Sequence, residues 1–345
     1  MSADRTLSAD PVRIAVVGLG RVFERFHLPA LRQRDDARLA VWDQEAGRRA
    51  WARDALPGAT VAADFAGLLE QRADALLLLT PPATHAALAC RALGAGLHVF
   101  VEKPMALDPA DAARMVEAAT AADRRLQVGF TRRFRAPYRR LKERLAGVEP
   151  IAAAQFELRF PASAWGARDA FLGDDRAGGG VLDDVLSHQV DLLRWVLGAS
   201  PTRVRVSGHG GTAVRCDVEF PPGMVARCNA GHGSYREWLV VRGVQTAVAA
   251  SGSGLVSGDR ATRTWARWLA SLQDRAALAL ARAAGTPNVT HQSFAAQLDD
   301  FLGAVRGRAA VGADGHDGLA AVNAIAACRR SIASGGWEPV SQPGR

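Results

Sequence analysis

The sequence predicts an α/β protein of two domains, the first built on a parallel sheet and the second on an antiparallel or mixed sheet. A chain of 345 residues is long enough for two domains of ordinary size. Up to about residue 130, short apolar runs alternate with helical segments at intervals typical of βαβ units. After residue 131, short strands follow one another without intervening helices, which favours antiparallel pairing. We therefore expect domains over residues 11–130 and 131–335.

The elements of the first domain are apolar runs and helical segments that end at turn residues or polar residues. The predicted strands are 13–17, 39–42, 75–79, 98–101 and 126–130. The predicted helices are 22–33, a segment around 46–52, 85–93 and 109–121. Asp108 is expected to cap the last of these helices, with Pro109 in its first turn. This alternation predicts a parallel sheet.

The second domain is predicted from strands that are separated by turn residues. The predicted strands are 151–160, 203–208, 213–220, 225–231 and 238–244. The predicted helices are 181–197, 293–305 and 317–331. A further segment, Arg260–Arg282, carries tryptophans and leucines on one helical face and arginines on another. We expect this segment to pack over a sheet or across a subunit boundary, or to form a wall of the substrate site. The alternative is a helix that lies on a membrane surface.

The composition favours a soluble protein with reduced cysteines. Hydrophobic residues make up 48% of the chain and charged residues 23%, as in ordinary globular proteins. The polar N-terminus lacks the apolar core of a signal peptide, and the longest aliphatic run, Leu76–Leu79, is too short to span a bilayer. The four cysteines are widely spaced and form no C-x-x-C pair. We therefore expect a cytoplasmic protein without membrane contact.

The formal net charge is +8, and the densest basic cluster is Arg132–Arg144. No nucleic-acid recognition motif accompanies this cluster, and Glu143 interrupts it, so we expect no nucleic-acid partner. A solvated helix face is the favoured interpretation, and contact with an anionic substrate is the second.

A glycine-containing turn follows the first strand. Gly18-Leu19-Gly20 precedes a helix, where glycines let the backbone approach a dinucleotide pyrophosphate. Phe23 stands where such motifs usually have a third glycine, so a tight turn without a ligand stays open as the alternative. Asp43 ends the second strand, where a carboxylate can accept hydrogen bonds from the adenosine ribose, although an ordinary turn residue is the alternative. This acid favours NAD over NADP, while Arg48 and Arg49 leave NADP open.

The run His98–Pro104 begins as an apolar strand and ends in a carboxylate, an amine and a proline. Burying the charged groups of Glu102 and Lys103 at the end of a buried strand costs free energy, so a functional role for them is expected. The carboxyl ends of strands are where open α/β sheets bind ligands, so Lys103 is a candidate catalytic amine.

A second set of polar side chains follows the glycines Gly178–Gly180. Asp184, His188 and Asp191 have i, i+4, i+7 spacing and share one stripe of the predicted helix. A carboxylate one turn from an imidazole can orient it and raise its basicity, as a general base for alcohol oxidation requires. The polar face of an amphipathic helix is the alternative, but Trp195 falls inside the stripe and suggests a cleft wall. No other cluster of ligand side chains supports a metal site.

Together these segments resemble the Gfo/Idh/MocA family, named after glucose-fructose oxidoreductase and inositol dehydrogenase. The resemblance covers nearly the whole chain and rests on the order and spacing of the motifs. These motifs are 17–21 (VGLGR), 27–31 (HLPAL), 80–85 (TPPATH), 96–104 (GLHVFVEKP), 128–134 (VGFTRRF), 178–191, 294–299 and 317–318. Two positions depart from the family pattern. Phe23 replaces a small residue, and Thr131 stands where asparagine is common, but neither removes a reacting group.

The resemblance implies an N-terminal Rossmann domain and a C-terminal α/β domain whose large, mostly antiparallel open sheet forms the interface of a homodimer or homotetramer. It implies an NAD(P)-dependent oxidoreductase acting on a sugar, cyclitol or related alcohol or ketone, with NAD as the cofactor and NADP as the alternative. Lys103, Asp184 and His188 match the catalytic positions. The predicted cofactor-binding positions are Gly18, Leu19, Gly20, Arg21, Val22, Asp43, Thr80, Pro81, His85, Glu102 and Lys103.

The implied mechanism is hydride transfer with acid–base catalysis. His188 would accept the hydroxyl proton, Asp184 would orient the imidazole, and Lys103 would donate a hydrogen bond to the substrate oxygen. The alternatives are an imine or enone reductase and a non-catalytic regulator that binds the cofactor. The presence of all three side chains argues against the regulator.

Overall fold

The computed structural model describes residues 11–146, 150–161, 180–244, 246–252, 254–259, 289–308 and 312–342. The chain divides into two units. The first comprises the residues up to Ala106, Ala110–Gly129 and Phe294–Gly315, and the second comprises Leu107–Pro109, Phe130–Ser293 and the residues from His316 onward. The segment Arg260–Arg282 and the glycines Gly178 and Gly179 lie outside the described residues, so their interpretation stays a prediction.

The first unit is built on a six-stranded parallel sheet with the order β3-β2-β1-β4-β5-β6. Its strands are β1 (Val12–Val17), β2 (Ala37–Trp42), β3 (Thr60–Val61), β4 (Ala75–Leu78), β5 (His98–Val101) and β6 (Leu126–Val128). Its helices are α1 (Leu28–Leu31), α2 (Ala46–Ala55), α3 (Phe65–Leu69), α4 (His85–Gly94) and α5 (Pro109–Ala122). The strand order reverses between β1 and β4, so a ligand crevice is expected at their carboxyl ends.

The second unit is built on an eight-stranded sheet with the order β13-β12-β11-β7-β10-β9-β8-β14. Strands β7 and β10 are parallel, and the other neighbouring pairs are antiparallel. The strands are β7 (Ile151–Phe160), β8 (Arg203–Gly210), β9 (Ala213–Phe220), β10 (Met224–His232), β11 (Arg236–Gly243), β12 (Thr246–Ser251), β13 (Leu255–Asp259) and β14 (Glu338–Pro339). The remaining helices of the described chain are α6 (Ala136–Leu145), α7 (Ser187–Leu197), α8 (Val289–Val305) and α9 (Gly315–Ser334). The predicted fold class is confirmed.

One segment returns to the first unit from late in the chain. Helix α8 packs Leu298, Phe301 and Leu302 into the same apolar core as Ile14 and Phe100. The sequence prediction assigned this segment to the second domain, because a local pattern does not show which of two cores a late amphipathic helix will cover.

Two predicted helices begin with a π-helical turn instead of a regular α-helical one. The turn Phe23–His27 precedes α1, and the turn Leu182–Leu186 precedes α7. A π turn bonds residue i to i+5 and therefore changes which side chains share a face. Both turns lie beside segments with predicted functional residues.

Two further sequence predictions concern the cysteines and the membrane. The four cysteines are free thiols. Among the helices in the described part of the chain, none has both the length and the apolar character needed to cross a membrane.

Candidate active site

A tight turn leads from β1 into the first helical segment. Gly18 has a φ of +91°, and a Cβ atom there would lie 2.7 Å from the backbone carbon and oxygen of Leu79, so glycine is required. A Cβ atom on Gly20 would meet no atom within 4 Å. Phe23, in place of a third glycine, is buried against Trp51 with ring centroids 6.4 Å apart. The turn therefore leaves open space at Gly20, as the close approach of a pyrophosphate requires.

Arg21 and Val22 form the first helical positions after this turn. The N–H group of Glu24 donates to the carbonyl of Gly20 at 3.0 Å. The N–H groups that precede it have no acceptor within the helix and are available to an anion. Arg21 is exposed and Val22 is half-buried, so we expect the backbone of both residues to serve a ligand.

Asp43 follows β2 and supports the same turn. Its Oδ2 atom accepts a hydrogen bond from the N–H group of Leu19 at 2.7 Å, and its Oδ1 atom accepts one from the N–H group of Glu45 at 2.9 Å. The Leu19 side chain is buried and its amide is engaged, so its predicted cofactor role is indirect. A carboxylate has about four acceptor positions, so Asp43 keeps capacity for a ligand such as a ribose.

Glu102 and Lys103 leave the carboxyl end of β5. The buried carboxylate of Glu102 has its Oε1 atom 3.0 Å from Nε2 of His27, and its Oε2 atom accepts from the N–H group of Lys103 at 3.1 Å. Gly129 makes room for this carboxylate, because a Cβ atom there would lie 2.8 Å from Oε2. Glu102 therefore fixes the backbone that carries the half-buried Lys103, and its own predicted cofactor role is indirect.

His85 joins the loop after β4 to the loop after β5. Its Nε2 atom lies 2.8 Å from the carbonyl oxygen of Thr80, and its Nδ1 atom lies 3.0 Å from that of Pro104. Burial lowers the pKa of His85, so the ring is neutral near pH 7 and donates to one of these carbonyls. The side chain is fully buried, whereas Pro81 is exposed and Thr80 is half-buried. We expect Thr80 and Pro81 to meet the cofactor and His85 to position their loop.

The helix that carries the predicted catalytic pair is buried within the second unit, where every residue from Val181 to Leu193 is buried. Gln189 donates to the carbonyl of Phe156 at 3.0 Å, and Asp183 forms an ion pair with Arg329. The polar side chains are thus held by protein partners. The alternative interpretation of this segment as a solvated amphipathic face is excluded.

Asp184 and His188 each contact a further aromatic or imidazole ring. The Oδ2 atom of Asp184 lies 3.1 Å from Nε2 of His232, at the end of β10. The ring of His188 packs edge-on against Phe130, with centroids 6.3 Å apart. His232 in turn lies against Phe160 at 5.9 Å. The sequence analysis missed His232, because it lies 48 residues beyond Asp184 and belongs to no motif.

Asp191, the third member of the predicted stripe, belongs to a separate ion-pair cluster. Its Oδ2 and Oδ1 atoms accept from Nε and Nη2 of Arg133 at 3.0 and 2.5 Å. Arg133 also pairs with Asp317 at 2.7 Å, and Asp317 pairs with Arg194. Asp184 lies within the π turn Leu182–Leu186, whereas His188 and Asp191 follow it on α7. The stripe that these three side chains share stays a prediction.

The basic cluster Arg132–Arg144 is solvated only in its second half. Its first three arginines are buried, while the basic residues on α6 are exposed. Lys142 has its Nζ atom 4.4 Å from the ring centre of Trp195, which is partly buried against the core. Trp195 therefore packs under Lys142, and its interpretation as a cleft wall stays a prediction. The three buried arginines, for which the prediction of a solvated face is wrong, are Arg132, Arg133 and Arg135.

Glu237 on β11 is the acidic partner of two of these arginines. Its Oε1 atom accepts from Nη1 of Arg135 at 2.7 Å and from the hydroxyl of Tyr138 at 2.8 Å. Its Oε2 atom accepts from Nη1 of Arg135 at 2.8 Å and from the hydroxyl of Tyr235 at 2.6 Å. The Nε atom of Arg132 lies 3.3 Å from Oε1. Arg135 and Glu237 are 102 residues apart, so no local pattern could reveal this cluster.

We expect Glu237 to make the protein less stable in acid. Burial alone would raise the pKa of Glu237, but Arg132, Arg135 and the hydroxyls of Tyr235 and Tyr138 hold it at about 2. Its ordinary value is 4.5, so its stabilising contribution is complete above that pH and is lost as the pH falls toward 2. The full loss is on the order of 3 kcal/mol, of which about 2 kcal/mol is expected by pH 3. Urea unfolding at about pH 7 and about pH 3 measures it, and Glu237→Gln should be less stable at neutral pH and lose less in acid. Equal losses in both proteins would contradict this role.

The comparisons with protein families cover both units. The model described as "Oxidoreductase family, NAD-binding Rossmann fold" (GFO_IDH_MocA) matches residues 12–130. The model described as "Oxidoreductase family, C-terminal alpha/beta domain" matches residues 162–341. The first match includes the glycine turn and Lys103, and the second includes Asp184, His188 and His232.

Two curated relatives and one solved structure illustrate the similarity. Myo-inositol 2-dehydrogenase of Thermotoga maritima is 32% identical over 201 residues, which span 57% of this chain and 58% of that protein. Inositol 2-dehydrogenase 4 of Saccharopolyspora erythraea is 31% identical over 352 residues and covers 97% of each chain. The WlbA dehydrogenase of Bordetella pertussis, solved with NADH and UDP-GlcNAcA, has a TM-score of 0.81 at 22% identity, covering 98% of this chain and 100% of that one. This last likeness concerns the fold.

Proposed function

Because the chain belongs to the Gfo/Idh/MocA oxidoreductase family, we propose that it transfers hydride between a nicotinamide dinucleotide and a ring alcohol or ketone of a sugar or cyclitol. The proposal rests on one combination of features. The first unit has a glycine turn with open space at the point where the strand order reverses, and the second unit holds Asp184 and His188 in a buried helical segment. The names of the relatives, inositol 2-dehydrogenases, support the substrate class.

The reactive residues divide the chemistry among them. A nicotinamide dinucleotide, when bound at the glycine turn, would supply the hydride-transfer chemistry. In the oxidation direction, His188 removes the hydroxyl proton, and the carboxylate of Asp184 stabilises the charge that the imidazole acquires. Lys103 donates a hydrogen bond to the substrate oxygen and stabilises the negative charge that develops there. The same groups run ketone reduction in reverse.

NAD is the proposed cofactor in preference to NADP. The carboxylates of Asp43 and Glu45 follow β2, where they would repel a 2′-phosphate. Arg48 forms an ion pair with Glu24, and Nη1 of Arg49 donates to the carbonyl of Asp43 at 2.7 Å. Both guanidinium groups are therefore engaged by the protein. A homodimer or homotetramer, as the family resemblance implies, stays part of the proposal.

A substrate panel tests the function. Purified protein is mixed with NAD or NADP and with cyclitols, aldoses and their acids, and the absorbance of the reduced nicotinamide is followed. We expect faster turnover with NAD on at least one ring alcohol. Lys103→Met should lower kcat by about 10²-fold or more, because the developing oxyanion loses its donor.

Other outcomes of this panel would change the assignment. Reduction of an imine or enone without alcohol oxidation would contradict the reaction class. Tight NADH binding with no turnover of any substrate would indicate a regulator. An unchanged kcat in Lys103→Met would remove that residue from the mechanism.

A further inference from the structure

Arg132 is a buried arginine whose Nε atom has no hydrogen-bond partner among the described residues. Its side chain is 6% exposed, and its Nε atom lies 3.3 Å from Oε1 of Glu237 without making a hydrogen bond. In the part of the chain that the structure describes, no other carboxylate lies within ion-pair distance of Arg132. Buried polar groups are nearly always hydrogen-bonded, so this one calls for an explanation.

Glu237 does not supply the missing hydrogen bonds. Its two oxygens already accept four, from Arg135, Tyr138 and Tyr235, which fills the capacity of a carboxylate. Among the described residues, two guanidinium groups therefore share one carboxylate, and one positive charge has no counterpart. An uncompensated buried charge is costly to keep, so its presence points to a ligand that completes the site.

The unmatched guanidinium lies near the proposed catalytic groups. Its Cζ atom is 5.9 Å from the ring centroid of Phe160, and the ring of His232 lies against the same phenyl ring with centroids 5.9 Å apart. His232 bonds to Asp184, four residues before His188. Arg132 and Asp184 are therefore linked through the rings of Phe160 and His232, within the second unit.

We propose that Arg132 forms an anion subsite and that the substrate is an acidic sugar or cyclitol, whose carboxylate or phosphate oxygens accept hydrogen bonds from this guanidinium. The inference rests on the proposed dehydrogenase function. A carboxylate fits the charge balance best, because one negative charge matches the one unmatched positive charge. The two oxygens of a carboxylate can also accept two parallel hydrogen bonds from the planar guanidinium group of an arginine.

Calorimetric titration tests the subsite directly. The probes are D-glucuronate, D-galacturonate and D-mannuronate, the matched neutral hexoses, and the matched hexose 6-phosphates, each with and without NADH. We expect at least one acidic sugar to bind about tenfold or more tightly than its neutral partner. A uronate preference assigns carboxylate as the anion, and a 6-phosphate preference assigns phosphate.

Three variants separate recognition from folding. Arg132→Met should abolish the acid preference, and Arg132→Lys, which keeps the charge without the fork, should weaken it. Arg140→Met removes the same charge from an exposed position of α6 and should keep it. Arg132 also helps to hold the Glu237 carboxylate charged, so Arg132→Met should lower the melting temperature. The acid preference is therefore taken as the ratio of the two affinities on the same variant, because a purely structural arginine would weaken acidic and neutral sugars alike.

The outcomes for the subsite and for the dehydrogenase function are distinct. Equal binding of acidic and neutral sugars, no binding of any acidic sugar, or an acid preference that survives Arg132→Met would overturn the subsite. If the protein oxidises neutral sugars and Arg132→Met leaves that turnover unchanged, the subsite proposal is also overturned, but the dehydrogenase proposal stands. Arginine-dependent binding of acids without any NADH formation would support the subsite and contradict the reaction.

Discussion

Replacing His188 with asparagine is expected to lower kcat for alcohol oxidation about 10²- to 10⁴-fold, because general-base catalysis contributes a factor of that size. Asparagine keeps a polar side chain of smaller size but cannot accept the hydroxyl proton. The ring of His188 is buried against Phe130, so the change also removes an aromatic contact. Steady-state kinetics with NAD and the best substrate of the panel give kcat and KM separately.

The pH profile distinguishes a lost base from a damaged fold. In the wild-type protein, kcat for oxidation should fall in acid as the imidazole protonates, and this limb should be missing from His188→Asn. His209→Asn makes the same change at an exposed position of β8 and should retain wild-type kinetics. A His188→Asn variant that keeps the wild-type kcat and pH profile would exclude this residue as the base.

Changing Gly18 to alanine is expected to destabilise the first unit by about 3 kcal/mol or more. Two effects add: the residue has a φ of +91°, and its Cβ atom would lie 2.7 Å from the backbone of Leu79. The contact is with backbone, so no side-chain rotation can relieve it. Urea unfolding gives the loss of stability, and a titration of NADH fluorescence should show that cofactor binding is lost as well.

Gly20→Ala is the matched control, because its Cβ atom would meet nothing within 4 Å. It should unfold at the wild-type urea concentration and yet bind NADH more weakly, since the methyl group occupies the space left for a pyrophosphate. Wild-type stability in Gly18→Ala would contradict the steric account. Wild-type NADH affinity in Gly20→Ala would contradict the cofactor assignment of the turn.

The features that could be predicted from the sequence are those that depend on residues close together along the chain. Apolar runs that end at glycine or acidic residues identified the strands, and Asp43 was found because the end of a second strand is a fixed position in such sheets. Lys103 was singled out in the same way, as a charge at the exit of a buried strand, and its role stays a prediction. These signals act within a few residues, and tertiary packing did not override them.

The features that were missed depend on distant partners. Arg133 meets Asp191 across 58 residues, and Arg135 meets Glu237 across 102. A run of arginines cannot reveal that carboxylates far along the chain will bury its first members. The π-helical turn Leu182–Leu186, which contains Asp184, was missed for a different reason, because an i, i+4, i+7 pattern assumes α-helical geometry throughout.

Isotope tracing tests the central claim, direct hydride transfer from a ring carbinol, most directly. The substrate identified by the panel is deuterated at the carbon that is oxidised and is incubated with the protein and NAD. Direct transfer predicts that deuterium appears at C4 of the nicotinamide, one atom for each ketone formed. Ketone formation with the deuterium found in water and unlabelled NADH would contradict the proposed reaction.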